Sequence, residues 1–424
     1  MLAFSVSSYA LENIKVGTTT RNMLVYVPQS LGTNRPLVIS MHGYNQDANY
    51  QQGQAKWEAI ADTAKFVVVY PNGVGNSWDI SGSSDTDFLV AIIDTIASRN
   101  KIDRNRVYLS GFSMGGMMTY YAATKIANKI AAFAPISGYN MGGPNTNSSR
   151  PIPIIHTHGT TDDVVAYSGV QTCINAWITK NDCSATAVVT SHYPASNPNS
   201  IATKYYWSNG INGVEIVLMS LAGKGHWISI DPVNGINTSL EIWNFAKRYS
   251  LVMGSISSST SALTDLTYVQ GASSTNSKSF TLTGSSLNNQ VLITAPTNFE
   301  VSLNSTSNFS SSITLAPTVN TIAATTVYVR MKTGLSAGTY SGNSLSVTSV
   351  GAVGKTITLS GTVSQTSTDV TSTDISAAEV VKKEYYTLTS MKVNEIKNLN
   401  GLFIERKYMS DGKVIISKVF INNK

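Results

Sequence analysis

Residues 106–115 confine this chain more than any other stretch. Arg106-Val-Tyr-Leu-Ser110 is an apolar, β-prone run, Gly111-Phe-Ser-Met-Gly115 follows it, and Met114–Ala127 carries a helical pattern. A serine between two glycines at a strand-to-helix turn implies a sharp, strained bend. The residues two places away on either side must lack a Cβ to avoid a clash. By composition alone a G-x-S-x-G string should occur about 0.1–0.3 times in a chain of this length, with glycine at roughly 7%. The strand before it and the helix after it are what make this occurrence informative. Such a turn also points the amides of a helix N-terminus at charge that develops on the serine's target.

The surrounding sequence supplies a frame for that turn. Apolar runs at Met23–Val27, Pro36–Met41, Phe66–Tyr70, Arg106–Ser110, Ile152–His156 and Val214–Met219 alternate with helical patterns. The helical patterns lie near Trp57–Ala64, Phe88–Ser98, Met114–Ala127, Val170–Lys180 and Ser239–Arg248. Alternation of this kind predicts an α/β fold over residues 1–250, with a mostly parallel sheet covered by helices. At 424 residues the chain is long enough for two or three units. From 256 to 363 the composition shifts to Ser, Thr, Val and Gly with period-2 runs such as Ser279–Leu282, Thr326–Met331 and Thr356–Leu359, which predicts an all-β sandwich. Residues 364–379 read as a linker. Residues 380–424 read as a small β domain with a hairpin turn at Asp411-Gly412.

Charge narrows the function classes. The formal net charge is +6, but from Lys382 onward nine cations face four anions, so the rest is nearly neutral. A basic tail on a neutral body argues against a nucleic-acid groove. No apolar run approaches the roughly 18 residues of a membrane span. The start, MLAFSVSSYALEN, is either the stub of a secretion signal ending near Ala10 or the first strand. Cys173 and Cys183 are close enough in sequence for a local disulfide in an oxidising compartment, with two free buried thiols as the alternative.

Acyl transfer at Ser113 needs a base and an acid in the chain order Ser, Asp or Glu, His. Of five histidines, only His192 and His226 can follow an acid that itself follows Ser113. His192 sits in an apolar, strand-like stretch and reads as packed. His226 lies in the glycine loop Ala222-Gly-Lys-Gly-His-Trp227, which can carry an imidazole over the sheet edge, so His226 is the expected base. After the run ending at His156 comes His158-Gly-Thr-Thr-Asp162-Asp163. Either aspartate could orient the base. Asp162 is favoured by its place at the exit of the turn, with Asp163 capping the turn that follows. The oxyanion donors expected are the amides of Met114 and of Tyr44, which follows the apolar run into His42-Gly43. Trp78, Trp227 and Tyr44, with Met114, are candidate substrate-binding surfaces. His156 and His158 share a strand face but lack a clear third ligand, so neither a metal nor a cofactor is expected.

These residues resemble the esterase/polyhydroxybutyrate-depolymerase family, which includes feruloyl and acetylxylan esterases. The likeness covers the first 250 residues. It rests on His42-Gly43, Trp78 with Asp85-Thr-Asp87-Phe88, Ile102-Asp-Arg-Asn-Arg-Val-Tyr108, Gly111–Gly116 with Met117-Met118, Ala131-Ala-Phe-Ala-Pro135, His158-Gly-Thr-Thr-Asp162 and Gly225-His226. It implies an α/β-hydrolase fold and a Ser113, Asp162, His226 triad. Met114 departs from the Asn or Gln common in carbohydrate esterases, and the Gly-x-Ser-Met-Gly-Gly string with His-Gly-Tyr is also similar to polyester hydrolases. The middle module looks like a β-sandwich of secreted Bacteroidetes proteins, on Ser279-Phe-Thr-Leu-Thr-Gly284, Ala295-Pro-Thr-Asn-Phe299, Val327-Tyr-Val-Arg330 and Ser336-Ala-Gly-Thr-Tyr340. The end, with Asn400-Gly-Leu-Phe-Ile404, resembles a type IX secretion C-terminal sorting domain. These likenesses imply a secreted or cell-surface esterase on a polymeric ester, with the secretion machinery as partner of the tail. The favoured substrate is an acetyl or feruloyl ester of plant polysaccharide. The alternatives are a polyester depolymerase and, from another class, a polymer-binding adhesin with incidental esterase activity.

Overall fold

The computed structural model describes residues 8–365, 379–394 and 400–422. Residues up to 365 form one compact unit and those from 366 onward a second.

The first unit opens with ten strands: β1 (Ser8–Val16), β2 (Thr19–Val27), β3 (Leu37–Met41), β4 (Val67–Pro71), β5 (Val107–Phe112), β6 (Ala132–Ile136), β7 (Ile154–Gly159), β8 (Val188–Thr190), β9 (Ala202–Trp207) and β10 (Ile216–Leu221). Six helices accompany them: α1 (Ala48–Ala55), α2 (Glu58–Ala64), α3 (Ser84–Asn100), α4 (Met114–Lys125), α5 (Val170–Asn181) and α6 (Thr238–Ala246). The sheet order is β1-β2-β4-β3-β5-β6-β7-β10-β9-β8. Its six central members, β4, β3, β5, β6, β7 and β10, are mutually parallel.

The alternation along these strands sorts two cores. Leu37, Ile39, Val107, Leu109 and Ile154 pack with Phe88, Ile92, Met118 and Trp177 from α3, α4 and α5. Val38, Val68, Tyr108, Ala134 and Val217 pack on the other face with Ala61, Ile242 and Phe245 from α2 and α6. A strand covered on both faces favours apolar residues at most positions, and β3, β4, β5, β6, β7 and β10 are buried throughout, with a few polar side chains such as Ser40, Ser110, His156 and His158 among them. Two elements had no periodic signal. In α1, Ala-Asn-Tyr-Gln-Gln-Gly-Gln-Ala lacks an apolar stripe, and the helix is begun instead by Asp47, whose side chain accepts from the Tyr50 amide. β6 contains Pro135 and two alanines, yet it is central.

After the α/β layer come β11 (Ser255–Ser258), β12 (Ala262–Val269), β13 (Ser277–Ser285), β14 (Val291–Thr294), β15 (Phe299–Ser302), β16 (Ser312–Leu315), β17 (Ile322–Met331), β18 (Gly338–Thr348) and β19 (Lys355–Ser364). They form sheets β11-β13-β17-β15 and β12-β19-β18-β14-β16 around one core that includes Phe280, Phe299, Val329, Val347 and Leu359. Asn289 Nδ2 ties this layer to the first by donating to the carbonyls of Arg248 and Val350. In the second unit β20 (Val380–Tyr386), β21 (Lys392–Val393), β22 (Asn400–Met409) and β23 (Val414–Asn422) form one antiparallel sheet. The expected linker falls almost entirely on 366–378 and the start of the expected signal on 1–7, which lie outside the described residues; the remainder of that signal stretch is β1. No helix of the described residues is long and apolar enough to cross a membrane.

The expected disulfide is not formed. Cys173 and Cys183 are both free thiols. Cys173 lies within α5 and Cys183 two residues past its end, and the helix between Cys173 and Asn181 rises about 12 Å at 1.5 Å per residue, which separates the two thiols. Burial raises the Cys173 thiol to about 11 and the Cys183 thiol to about 12. Thiol titration of the denatured, unreduced protein should therefore find two reactive thiols. A count of zero would restore the disulfide.

Candidate active site

The carboxyl ends of β3, β5, β7 and β10 lie along one edge of the parallel sheet, with β6 between β5 and β7, and each runs into a segment that carries one of the candidate residues. This is where ligands bind in open α/β sheets. At the end of β5, Ser113 has φ 55° and ψ −118° and serves as N-cap of α4. A strained backbone of this kind costs on the order of 1–3 kcal/mol and persists only where packing dictates it. Here it does. A Cβ on Gly111 would sit 2.2 Å from the Gly115 carbonyl oxygen, and one on Gly138 would sit 2.0 Å from that of Ser113. The Ser113 amide donates to the Ile136 carbonyl at 2.8 Å, which ties the turn to β6.

Asp162 and His226 meet at 2.8 Å, Oδ2 to Nδ1. The imidazole of His226 lies against the ring of Phe112, the residue before Ser113, with centroids 4.7 Å apart. No hydrogen bond joins Ser113 Oγ to His226 among the described residues. Asp162 is buried, whereas Asp163 is exposed. The capping duty expected of Asp163 falls to Asp162, whose Oδ1 accepts from the amides of Val164 at 3.0 Å and Val165 at 2.8 Å. Burial by itself would raise the Asp162 pKa. The His226 hydrogen bond and the two amides outweigh it, so the carboxyl sits below its ordinary range.

The loop after β3 is held from below. Gly73 N donates to His42 Nε2 at 3.0 Å, so the proton of this imidazole is on Nδ1, which donates to the Gly43 carbonyl at 2.7 Å. Burial lowers the His42 pKa and keeps the ring neutral. The Gly43 amide is taken by Gln46 Oε1 at 2.9 Å. The amides of Tyr44 and Met114 have no partner among the described residues. A Cβ on Gly43 would lie 3.1 Å from the Ser113 Cβ, so this loop passes directly beside the serine.

The aromatic candidates divide. Tyr44 and Trp227 are 61% and 58% exposed beside Ser113 and His226 respectively. Trp78 is only 3% exposed and is not a surface for substrate. Its Nε1 donates to the His42 carbonyl at 2.7 Å, so it supports the loop from inside. Arg21, which sequence reading missed, pairs with Asp85 at 2.6 Å in the interior, and Asp85 Oδ2 accepts from the Asp79 amide next to Trp78. The only signal for it was an arginine in the polar stretch Thr18-Thr-Thr-Arg-Asn22, directly before the apolar run Met23–Val27. His192 is in a bend, not a strand, and its Nδ1 pairs with the Ser200 carbonyl at 2.8 Å. His156 and His158 bond to each other, to Tyr120 and to the Val165 carbonyl, which takes up all four ring nitrogens.

Residues 82–203 match the Phospholipase/Carboxylesterase family model. The fold is that of the α/β-hydrolases. The chain is 45% identical over 242 residues to the bifunctional acetylxylan esterase/xylanase of Neocallimastix patriciarum, covering 56% of this chain and 35% of that protein. It is 27% identical over 267 residues to feruloyl esterase B of Piromyces equi, covering 54% and 46%. It is 28% identical over 282 residues to poly(3-hydroxyalkanoate) depolymerase C of Paucimonas lemoignei, covering 56% and 66%. The chain thus spans less than two thirds of each of these relatives.

Two outcomes follow from the geometry. Gly138→Ala should cost about 3 kcal/mol in denaturant unfolding, because the clash is with backbone and no side chain can yield. Asp162, with its pKa below the ordinary value, contributes stability that is present above about pH 3.9 and is lost as pH falls through the lowered native value. Unfolding measured between neutral and acid pH should show a shallower acid loss in Asp162→Asn than in the parent chain.

Proposed function

We propose that this chain is a serine carboxylic-ester hydrolase working through an acyl-enzyme. The reading is carried by the Asp162–His226 pair set against the strained Ser113 turn, with two unpartnered amides, Tyr44 and Met114, beside it. Ser113 Oγ attacks the ester carbonyl while His226 Nε2 takes its proton. Asp162 accepts from Nδ1, fixes the tautomer and stabilises the imidazolium. The Tyr44 and Met114 amides receive the charge on the tetrahedral oxygen, assisted by the N-terminus of α4. The alcohol leaves with the proton from His226, and water, activated by the same base, releases the acid.

The substrate we favour is an acetyl or feruloyl ester of plant polysaccharide. The names of the Neocallimastix and Piromyces relatives support it. The exposed rings of Tyr44 and Trp227 suit a sugar, a phenolic acid or a polymer segment. Those same rings and the Paucimonas relative favour a second reading, hydrolysis of an aliphatic polyester. In either case residues 1–250 would be the catalytic domain, 256–363 a spacer, and 380–424 a sorting domain read by the secretion machinery, with the enzyme acting outside the cell.

The test is acid release from acetylated xylan, feruloylated arabinoxylan and an amorphous polyester film. Ser113→Ala should lower turnover by on the order of a millionfold with the fold intact, and His226→Ala by a similar factor. Unchanged rates in Ser113→Ala would sink the assignment. Serine-dependent release from the film alone would select the polyester reading.

A further inference from the structure

Two histidines of β7 have no part in the acyl-transfer scheme, yet they stand directly behind its carboxylate. Their hydrogen bonds run in one direction. His158 Nε2 lies 2.8 Å from the Val165 carbonyl oxygen and 3.2 Å from Asp162 Oδ2. A carbonyl can only accept, and so can a carboxylate, so Nε2 carries the proton of His158 and Nδ1 the lone pair. His156 Nε2 is 2.9 Å from that Nδ1 and must therefore be the donor. His156 Nδ1 is left as an acceptor, and the Tyr120 hydroxyl donates to it at 2.9 Å. One backbone carbonyl thereby sets the tautomers of two imidazoles and the rotor of a phenol.

The setting keeps this chain neutral. His156 and His158 are fully buried and Tyr120 is nearly so. Burial depresses protonation of both imidazoles, so neither becomes a second cation beside His226. Asp162 Oδ2 then faces two imidazoles, His226 at 2.8 Å and His158 at 3.2 Å, while Oδ1 is held by two amides. A flipped His158 would set its lone pair against two acceptor oxygens. Reaching that state also requires His156 and Tyr120 to turn.

We propose that Tyr120, His156 and His158 are positioning residues that keep the His158 Nε2–H turned toward the Val165 carbonyl and Asp162 Oδ2, so that the carboxylate stays aimed at His226 and the Nε2 of His226 stays free for Ser113. This rests on the proposed role of Asp162. His156 and His158 are fully buried and out of reach of substrate, so their loss acts on kcat and leaves KM alone.

The test uses the full chain with p-nitrophenyl acetate and nitrogen-15 NMR of labelled imidazoles. In the parent protein both β7 histidines should give the Nε2–H pattern, unchanged across roughly pH 5–9. His158→Leu should lower kcat roughly ten- to a hundredfold at nearly constant KM, the scale of a small misplacement in the catalytic group. His158→Gln, whose amide N–H can reach the same oxygens, should recover most of that loss. Tyr120→Phe leaves the Val165 carbonyl in place, so both histidines should keep the Nε2–H pattern, with a smaller fall in kcat as His156 loses its hydroxyl partner. An Nδ1–H or cationic His158 in the parent protein would overturn the proposal, as would a folded His158→Leu protein with parental kcat or with its loss in KM alone. If His158→Leu does not fold, Tyr120→Phe decides: a kcat unchanged from the parent protein overturns it. Absence of Ser113-dependent turnover in the parent protein would instead remove the esterase reading and the catalytic role built on it. The tautomer pattern would still decide the hydrogen-bond chain by itself.

Discussion

The backbone at Ser113 turns with a positive φ in a space where no additional atom fits. Gly111 and Gly138 each leave a gap that a single Cβ would close to about 2 Å from a carbonyl oxygen. Strain of this kind is released in isolated peptide, so something larger must hold it. What holds it is the middle of the sheet. β5 is hydrogen-bonded between β3 and β6, buried along its whole length, and covered by cores on both faces. The serine is therefore fixed by the least deformable part of the domain, and the loops after β3, β7 and β10 are adjusted around it.

Asp162 is the electrostatic counterpart of that turn. A buried carboxylate is costly unless each oxygen finds donors. This one has two amides on Oδ1 and two imidazoles on Oδ2. The donors come from its own loop, from β7 and from the loop after β10, so the charge ties three segments together. The loop bearing Tyr44 is secured by a different device. A neutral His42, the indole of Trp78 and the interior Arg21–Asp85 pair stack beneath it. In both cases neutral or paired groups hold the reactive ones.

Much of this could be read from the chain. The glycine-flanked serine between a strand and a helix, the central strands as unbroken apolar runs, and the glycine loop at His226 each follow from local sterics or local burial. Several features could not. Trp78 in a loop reads the same whether it faces solvent or the His42 carbonyl. α1 has no apolar stripe, and β6 contains a proline. The spacing of Cys173 and Cys183 suits a disulfide until the helix between them is known to be straight. His156 and His158 look like a half-made metal site, since alternation puts them on one strand face and says nothing of what lies opposite.

The sequence by itself determined the pattern of most central strands and helices, the strained turn at Ser113 and the order serine, aspartate, histidine, because these depend on neighbours within a few residues. Only the tertiary structure decided that Asp162 and not Asp163 meets His226, that Trp78 is a support, and that one carbonyl at Val165 orders a chain of side chains reaching Tyr120. Those outcomes depend on which groups from distant segments share a buried volume. In that volume each donor must find an acceptor, and no local pattern in the chain encodes the match.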